Sequence, residues 1–387
     1  MTEPGEQPPP ETDAGVPGPD LIEPAGVAPQ VAPPPQPPPP AATPVATEMP
    51  GTLATVSRGL DLNVAASREI RRASLYIGLL WLLSIGPIAA TLWAFSAKQG
   101  GFEWLQRLAR GLRPEFVPVG PGFGEIVFVI LLIGFGCLVA VAVDAQLLAT
   151  VLIGARATDR RFSLGGAIAL VRLRYWRYVR ASALVGLILL VPRVLINQVV
   201  MNGRPAGTEA QALVSTAIDI LVSTPFAYLA AGIVLGAVGA RESIRRSWRL
   251  ARARWRLALL IGIVNTAVTY IAGFAVGAGG DILVRLGTAF GLGGSTGPVQ
   301  ILVLALIVAL ALVSIGSLIM TIGALTAGPQ VVAFLGLTGY SNGLDALNDP
   351  ADLSAPAPSA SLISLPMQLA LVINAALGTL SLIFLLR

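Results

Sequence analysis

The chain has 387 residues, 54% hydrophobic and 12% charged, with a net charge of +5, no histidine and one cysteine. Soluble domains carry about 25% charged residues, so the deficit points to membrane-spanning segments. Without histidine and with Cys137 alone, the chain has no His-dependent triad, no Cys/His zinc site, no proximal-His haem site and no internal disulfide.

Residues 1–55 read as a disordered, acidic, proline-rich cytoplasmic tail. They contain Glu3, Glu6, Glu11, Asp13, Asp20, Glu23 and Glu48, and no Lys or Arg precedes Arg58. The run Pro33 to Pro40 favours extended polyproline II and offers little apolar surface to bury. The tail has neither the basic start nor the apolar core of a signal peptide. It reads as a tether, with docking to a proline-recognising protein as the alternative.

Seven apolar segments follow, each long enough for a hydrocarbon core of ~30 Å. They are expected at Leu75–Phe95, Glu125–Val151, Ala181–Met201, Leu213–Ala240, Leu257–Val276, Val299–Leu337 and Leu362–Leu386. The first six lie in a membrane domain over 57–340. A Pro- and Asp-containing linker, 341–361, leads to the seventh helix within 362–387.

Two arginine clusters fix the expected topology. Arg156, Arg160, Arg161, Arg172, Arg174, Arg177 and Arg180 lie between the second and third spans. Arg241, Arg245, Arg246, Arg249, Arg252, Arg254 and Arg256 lie between the fourth and fifth. Each arginine at mid-bilayer costs about 2.5–3.5 kcal/mol on insertion scales, and short basic loops stay cytoplasmic. Arg58, Arg68, Arg71 and Arg72 before the first span agree with a cytoplasmic N-terminus. Lys98, Arg107, Arg110 and Arg113 after it run against that count. The balance favours a multi-pass membrane protein with a cytoplasmic N-terminus.

Both clusters read as interfacial helices. Ile244, Trp248, Ala251 and Trp255 recur at spacings of four, three and four, with Arg245, Arg249, Arg252 and Arg256 beside them. Leu164, Ile168, Val171 and Tyr175 repeat the pattern, with Arg172, Arg174 and Arg177 alongside. Such helices place aromatics in the headgroup layer and guanidinium groups at lipid phosphates. The readings are topology anchors, specific binding of anionic headgroups, or protein docking. Arginines beside spans fit lipid phosphate better than nucleic acid.

An internal repeat is also expected. A shift of 80 residues places Arg161 on Arg241, Leu164 on Ile244, Arg172 on Arg252, Arg174 on Arg254 and Tyr175 on Trp255. The unit is a basic interfacial helix followed by a transmembrane hairpin. The fold expected is therefore an all-α polytopic bundle of three such units with one extra C-terminal helix.

Ionisable groups inside spans are the default candidates for function. Asp144 lies twelve residues before Arg156, and Arg193 thirteen after Arg180. At 1.5 Å per residue both sit roughly 18–20 Å from the basic boundary, where they could pair. That pair reads either as helix glue or as part of a polar pathway; the remaining reading is that the two do not meet. Gly287–Gly297 lacks the lysine of a phosphate loop, and Asp345, Asp349 and Asp352 lack calcium-loop spacing. No nucleophile–base constellation, metal site or cofactor site is apparent.

Ser247-Trp248-Arg249-Leu250 with Trp255, and Pro329 followed by Tyr340 and Gly343-Leu344-Asp345, carry a family likeness. Over residues 57–350 the chain resembles the six-helix membrane domain attached to glycerophosphoryl diester phosphodiesterases, and related stand-alone bacterial membrane proteins. It departs from that group in lacking basic residues between Tyr340 and Gly343 and in adding a seventh span. The resemblance implies a fold and a membrane but no catalysis, because the phosphodiesterase chemistry belongs to a separate histidine-dependent soluble domain.

Overall fold

A computed structural model describes residues 51–98, 123–158, 163–201, 209–236, 238–289 and 298–338, and single residues from 363 to 376. The tail before Gly51, the 339–362 linker and most of the seventh span lie outside the described residues. The chain is all-helical over what is described. Its helices are α1 (Thr52–Ala65), α2 (Ser67–Lys98), α3 (Phe123–Ala157), α4 (Leu164–Met201), α5 (Glu209–Ser223), α6 (Leu229–Val234), α7 (Ala240–Ala253), α8 (Trp255–Ala289) and α9 (Pro298–Leu337). Helix α1 begins inside the stretch read from the sequence as tail.

Among the described residues, four segments are long and apolar enough to cross a membrane: Leu132–Ala157, Leu213–Val234, Trp255–Ala275 and Ala305–Leu337. They coincide with the second, fourth, fifth and sixth expected spans. The expected first and third spans fall within helices α2 and α4 without adding to that number. The fourth is interrupted. Pro225 supplies no backbone N–H and disfavours helix at the residue before it. Helix α5 accordingly ends at Ser223, a 3₁₀ turn covers Thr224–Phe226, and α6 restarts at Leu229. Thr224 Oγ1 and Ser223 Oγ donate to the Ile220 carbonyl at 2.7 and 3.2 Å, capping the broken end.

The core forms where α2, α3 and α9 meet, and small residues permit it. A Cβ on Gly78 would lie 2.7 Å from the Val313 carbonyl oxygen, and one on Gly316 would lie 2.7 Å from Gly78 Cα. Ser317 Oγ donates to the Ser74 carbonyl at 3.1 Å at the same crossing. Further along α9, Gly328 and Pro329 lie directly against Gly59 of α1. Phe334, Leu147, Ile153, Leu235 and Leu257 are fully buried around this axis. The basic ends of the helices are therefore the packed part of the molecule.

The opposite halves present apolar side chains outward. Leu187 of α4, Phe274 of α8 and Leu306 of α9 are 66%, 80% and 70% exposed. An apolar exterior of this extent marks contact with lipid or protein, not with water.

The basic segments at 58–72, 164–180 and 241–256 differ in build. Helices α1 and α2 are divided at Ala66 (φ −92°, ψ 10°), and α7 and α8 at Arg254 (φ −137°, ψ 66°). Helix α4 instead runs unbroken from Leu164 through the arginines into the expected third span. Its start is capped by Ser163, whose Oγ accepts the Gly166 N–H at 3.1 Å.

Candidate functional site

Two polar constructions stand out in an otherwise apolar body. The first centres on Asp144 of α3, which is 1% exposed. Its Oδ1 accepts a charge-assisted hydrogen bond from Arg172 Nη1 of α4. Arg172 Nη2 donates to the Tyr76 hydroxyl of α2 at 2.9 Å. One guanidinium thus joins three helices. An arginine keeps its charge under any physiological condition and offers five donors in a rigid fork, which suits it to bridging in this way. Asp144 Oδ2 is buried with no hydrogen-bond partner among the described residues. Tyr175, one turn along α4 from Arg172, is 4% exposed. Burial, and then the Asp144 charge, push its hydroxyl up to about 12, so it stays neutral.

The sequence expectation paired Asp144 with Arg193 and set Arg172 among the headgroup-facing arginines. The structure gives the carboxylate to Arg172, and the Arg193 side chain lies outside the described residues. The reason is geometric. Leu147, Leu148, Ala149, Val151, Leu152, Ile153 and Ala155 are all buried in the core. The last turns of α3 therefore lie within the packed body, beside α2 and α4. Because α4 is continuous, Arg172 comes level with Asp144. Arg174 and Tyr175, also read as interfacial, are buried at 8% and 4%, whereas Arg177 is exposed.

The second construction is α7. Its inner face is Ser243, Ser247 and Ala251, all buried and spaced by four. These serines reach the gap between α5 and α6. Ser247 Oγ donates to the Pro225 carbonyl at 2.8 Å and accepts the Tyr228 N–H at 3.2 Å. Ser243 Oγ donates to the Leu229 carbonyl at 3.1 Å. The Pro225 carbonyl and the Tyr228 N–H, freed by the break, are thus satisfied by a neighbouring helix, as an apolar surrounding requires, while the Leu229 carbonyl lies in the first turn of α6. The approach is close: a Cβ on Gly232 would lie 2.8 Å from Ser243 Oγ. Arg246 turns toward the core, its guanidinium 5.3 Å from the centre of the buried Phe334 ring.

The outer face of α7 carries Trp248, Arg245, Arg249 and Arg252, all exposed, and Trp255 and Arg256 are exposed just beyond the Arg254 break. Glu242 accepts from Arg249 at 2.7 Å and from Arg245 at 3.5 Å, leaving the face strongly positive. The Trp248 ring stands 6.1 Å from Phe226 at the broken turn. The sequence pattern placed Trp248 and Ala251 on one face. The structure separates them: Ala251 points inward with the serines, and Trp248 sits outside with the arginines.

Sequence reasoning missed Tyr76, Ser243, Ser247 and Arg246. The available signals were Pro225 inside an expected span and two serines at helical spacing in a basic segment. The positions matched by the 80-residue shift occupy unlike surroundings, since Arg172 and Tyr175 are inside while Arg252 and Trp255 are outside. Among the described residues no three acidic or thiol side chains gather as metal ligands would. Comparison with protein-family models, with curated proteins and with solved structures finds no match to this chain.

Proposed function

We propose that this chain is a non-enzymatic, lipid-engaging scaffold or assembly component of a bacterial plasma membrane. In this reading six spans form three hairpins on basic elbows, the N-terminus is cytoplasmic, and a seventh span follows the linker. The likeness to the membrane domain of glycerophosphoryl diester phosphodiesterases supports the plan. Two-faced α7 carries the reading: its serines hold the protein, while Arg245, Arg249, Arg252 and Trp248 are left for a partner. Arginines and a tryptophan together suit the headgroup layer of an anionic leaflet, each near-surface arginine gaining about 1 kcal/mol. A proline-recognising protein on the tail is a second partner of the scaffold.

The test is lipid retention. The protein purified in nanodiscs of mixed phosphatidylcholine and phosphatidylglycerol is released and its co-purifying lipid identified by native mass spectrometry. Wild type keeps phosphatidylglycerol preferentially, and R245A/R249A/R252A loses that preference. Equal retention by both proteins contradicts the reading.

A transporter or channel is the second reading, favoured by the unpartnered, buried Oδ2 of Asp144. It requires solute or ion flux in proteoliposomes that Asp144→Asn abolishes. Flux unaltered by that substitution removes Asp144 from any pathway.

A further inference from the structure

Helix α7 is one 14-residue rigid piece with two attachments that face opposite ways. Inward, Ser247 satisfies the Pro225 carbonyl and the Tyr228 N–H of the broken span, and Ser243 bonds the Leu229 carbonyl at the start of α6. Outward, Trp248 and the arginine stripe are exposed. Both ends are jointed. The chain enters through extended Gly239 (φ −70°, ψ 166°) and leaves through non-helical Arg254. Helix α7 is therefore set apart from α8 by a joint, with its serines and its arginine stripe on one rigid piece.

The break is built to depend on this attachment. Pro225 cannot donate a ladder bond. With α7 withdrawn, the Pro225 carbonyl and the Tyr228 N–H would lose the partners they now have. In an apolar surrounding an unsatisfied backbone group costs enough to change the local conformation. Trp248 adds a third link, because its ring reaches the outer face while lying near Phe226 of the turn itself.

We propose that α7 couples leaflet charge to the conformation of the interrupted span Leu213–Val234. Anionic lipid drawn to Arg245, Arg249 and Arg252 seats α7 and closes the break; a leaflet without anionic lipid loosens it. This inference rests on the lipid-engaging reading and adds a regulated element to it. The broken turn at Thr224–Phe226, with the start of α6, is the part that responds.

Hydrogen exchange in nanodiscs of phosphatidylcholine alone, or with added phosphatidylglycerol, reads the span directly. Quenching of tryptophan fluorescence by brominated phosphatidylglycerol, lost in Trp248→Phe, reports lipid contact at α7 separately. In wild type, adding phosphatidylglycerol slows exchange at residues 227–234 by roughly tenfold, as seating two hydrogen bonds would. The R245A/R249A/R252A protein exchanges fast in both lipids. S243A/S247A keeps Trp248 quenching but exchanges fast in both; Ser247→Ala alone serves if the double variant does not fold. Quenching at Trp248 without any lipid effect on exchange overturns the coupling and leaves the lipid-engaging reading intact. Absence of quenching at Trp248 overturns both.

Discussion

Removing Arg172 should be among the most damaging single changes in the molecule. Asp144 is 1% exposed and its Oδ1 is held by Arg172, so Arg172→Ala strands a carboxylate in the core. Breaking a buried pair from one side costs about 3–5 kcal/mol, because the surviving charge stays uncompensated. Tyr76→Phe removes the 2.9 Å bond to the same guanidinium, a loss of about 1.5–3 kcal/mol for a bond to a charged group. The double change Asp144→Leu with Arg172→Met leaves neither charge and should lie close to wild type. The assay is thermal or denaturant unfolding in one fixed detergent, arranged as a double-mutant cycle. Asp144→Ala and Arg172→Ala together should cost less than their sum by roughly 1–3 kcal/mol. The matching cycle with Arg193→Ala should give the smaller coupling. Strict additivity for Asp144 and Arg172, or a larger coupling to Arg193, would refute the assignment.

Gly78→Ala and Gly316→Ala should each destabilise by about 1–3 kcal/mol through overpacking, since the new methyl meets backbone or Trp81 at 2.7 Å. Gly273→Ala, where a Cβ meets nothing within 4 Å, should be neutral or slightly stabilising in the same unfolding assay. Equal losses at all three would show that the close crossing does not exist. Tyr175, pushed up to about 12 by burial and then by Asp144, ionises near its ordinary value of about 10 once unfolded. The fold favours its neutral form, so its contribution is complete below about pH 10 and declines as pH rises toward 12. An alkaline stability titration should therefore fall over that interval and flatten in Tyr175→Phe, and an unchanged slope in the variant would count against the buried placement.

Hydropathy and charge made the helical class and four spans legible, because long charge-poor segments bounded by arginines leave few alternatives. The basic elbow at 241–256 was legible as an amphipathic helix. Its inner face was not, because hydropathy ranks serine below tryptophan and ignores the carbonyls a broken helix leaves open. Pro225 was the missing clue. It marks the break that gives Ser247 its task. The partner of Asp144 escaped for a related reason. Distance counted along each helix does not say which neighbouring helices lie side by side. Helix α3 packs against α2 and α4 before its exposed end at Arg156, so an arginine counted as interfacial reaches a carboxylate counted as deep.

The orientation of the basic elbows is open to a direct measurement. Single cysteines at Ser163 and Ala253, both exposed, are introduced into a Cys137→Ala background. Intact cells are then treated with a membrane-impermeant maleimide. Both sites should label only after the membrane is permeabilised. Labelling of either site from outside intact cells would place an arginine cluster on the wrong face and contradict the account.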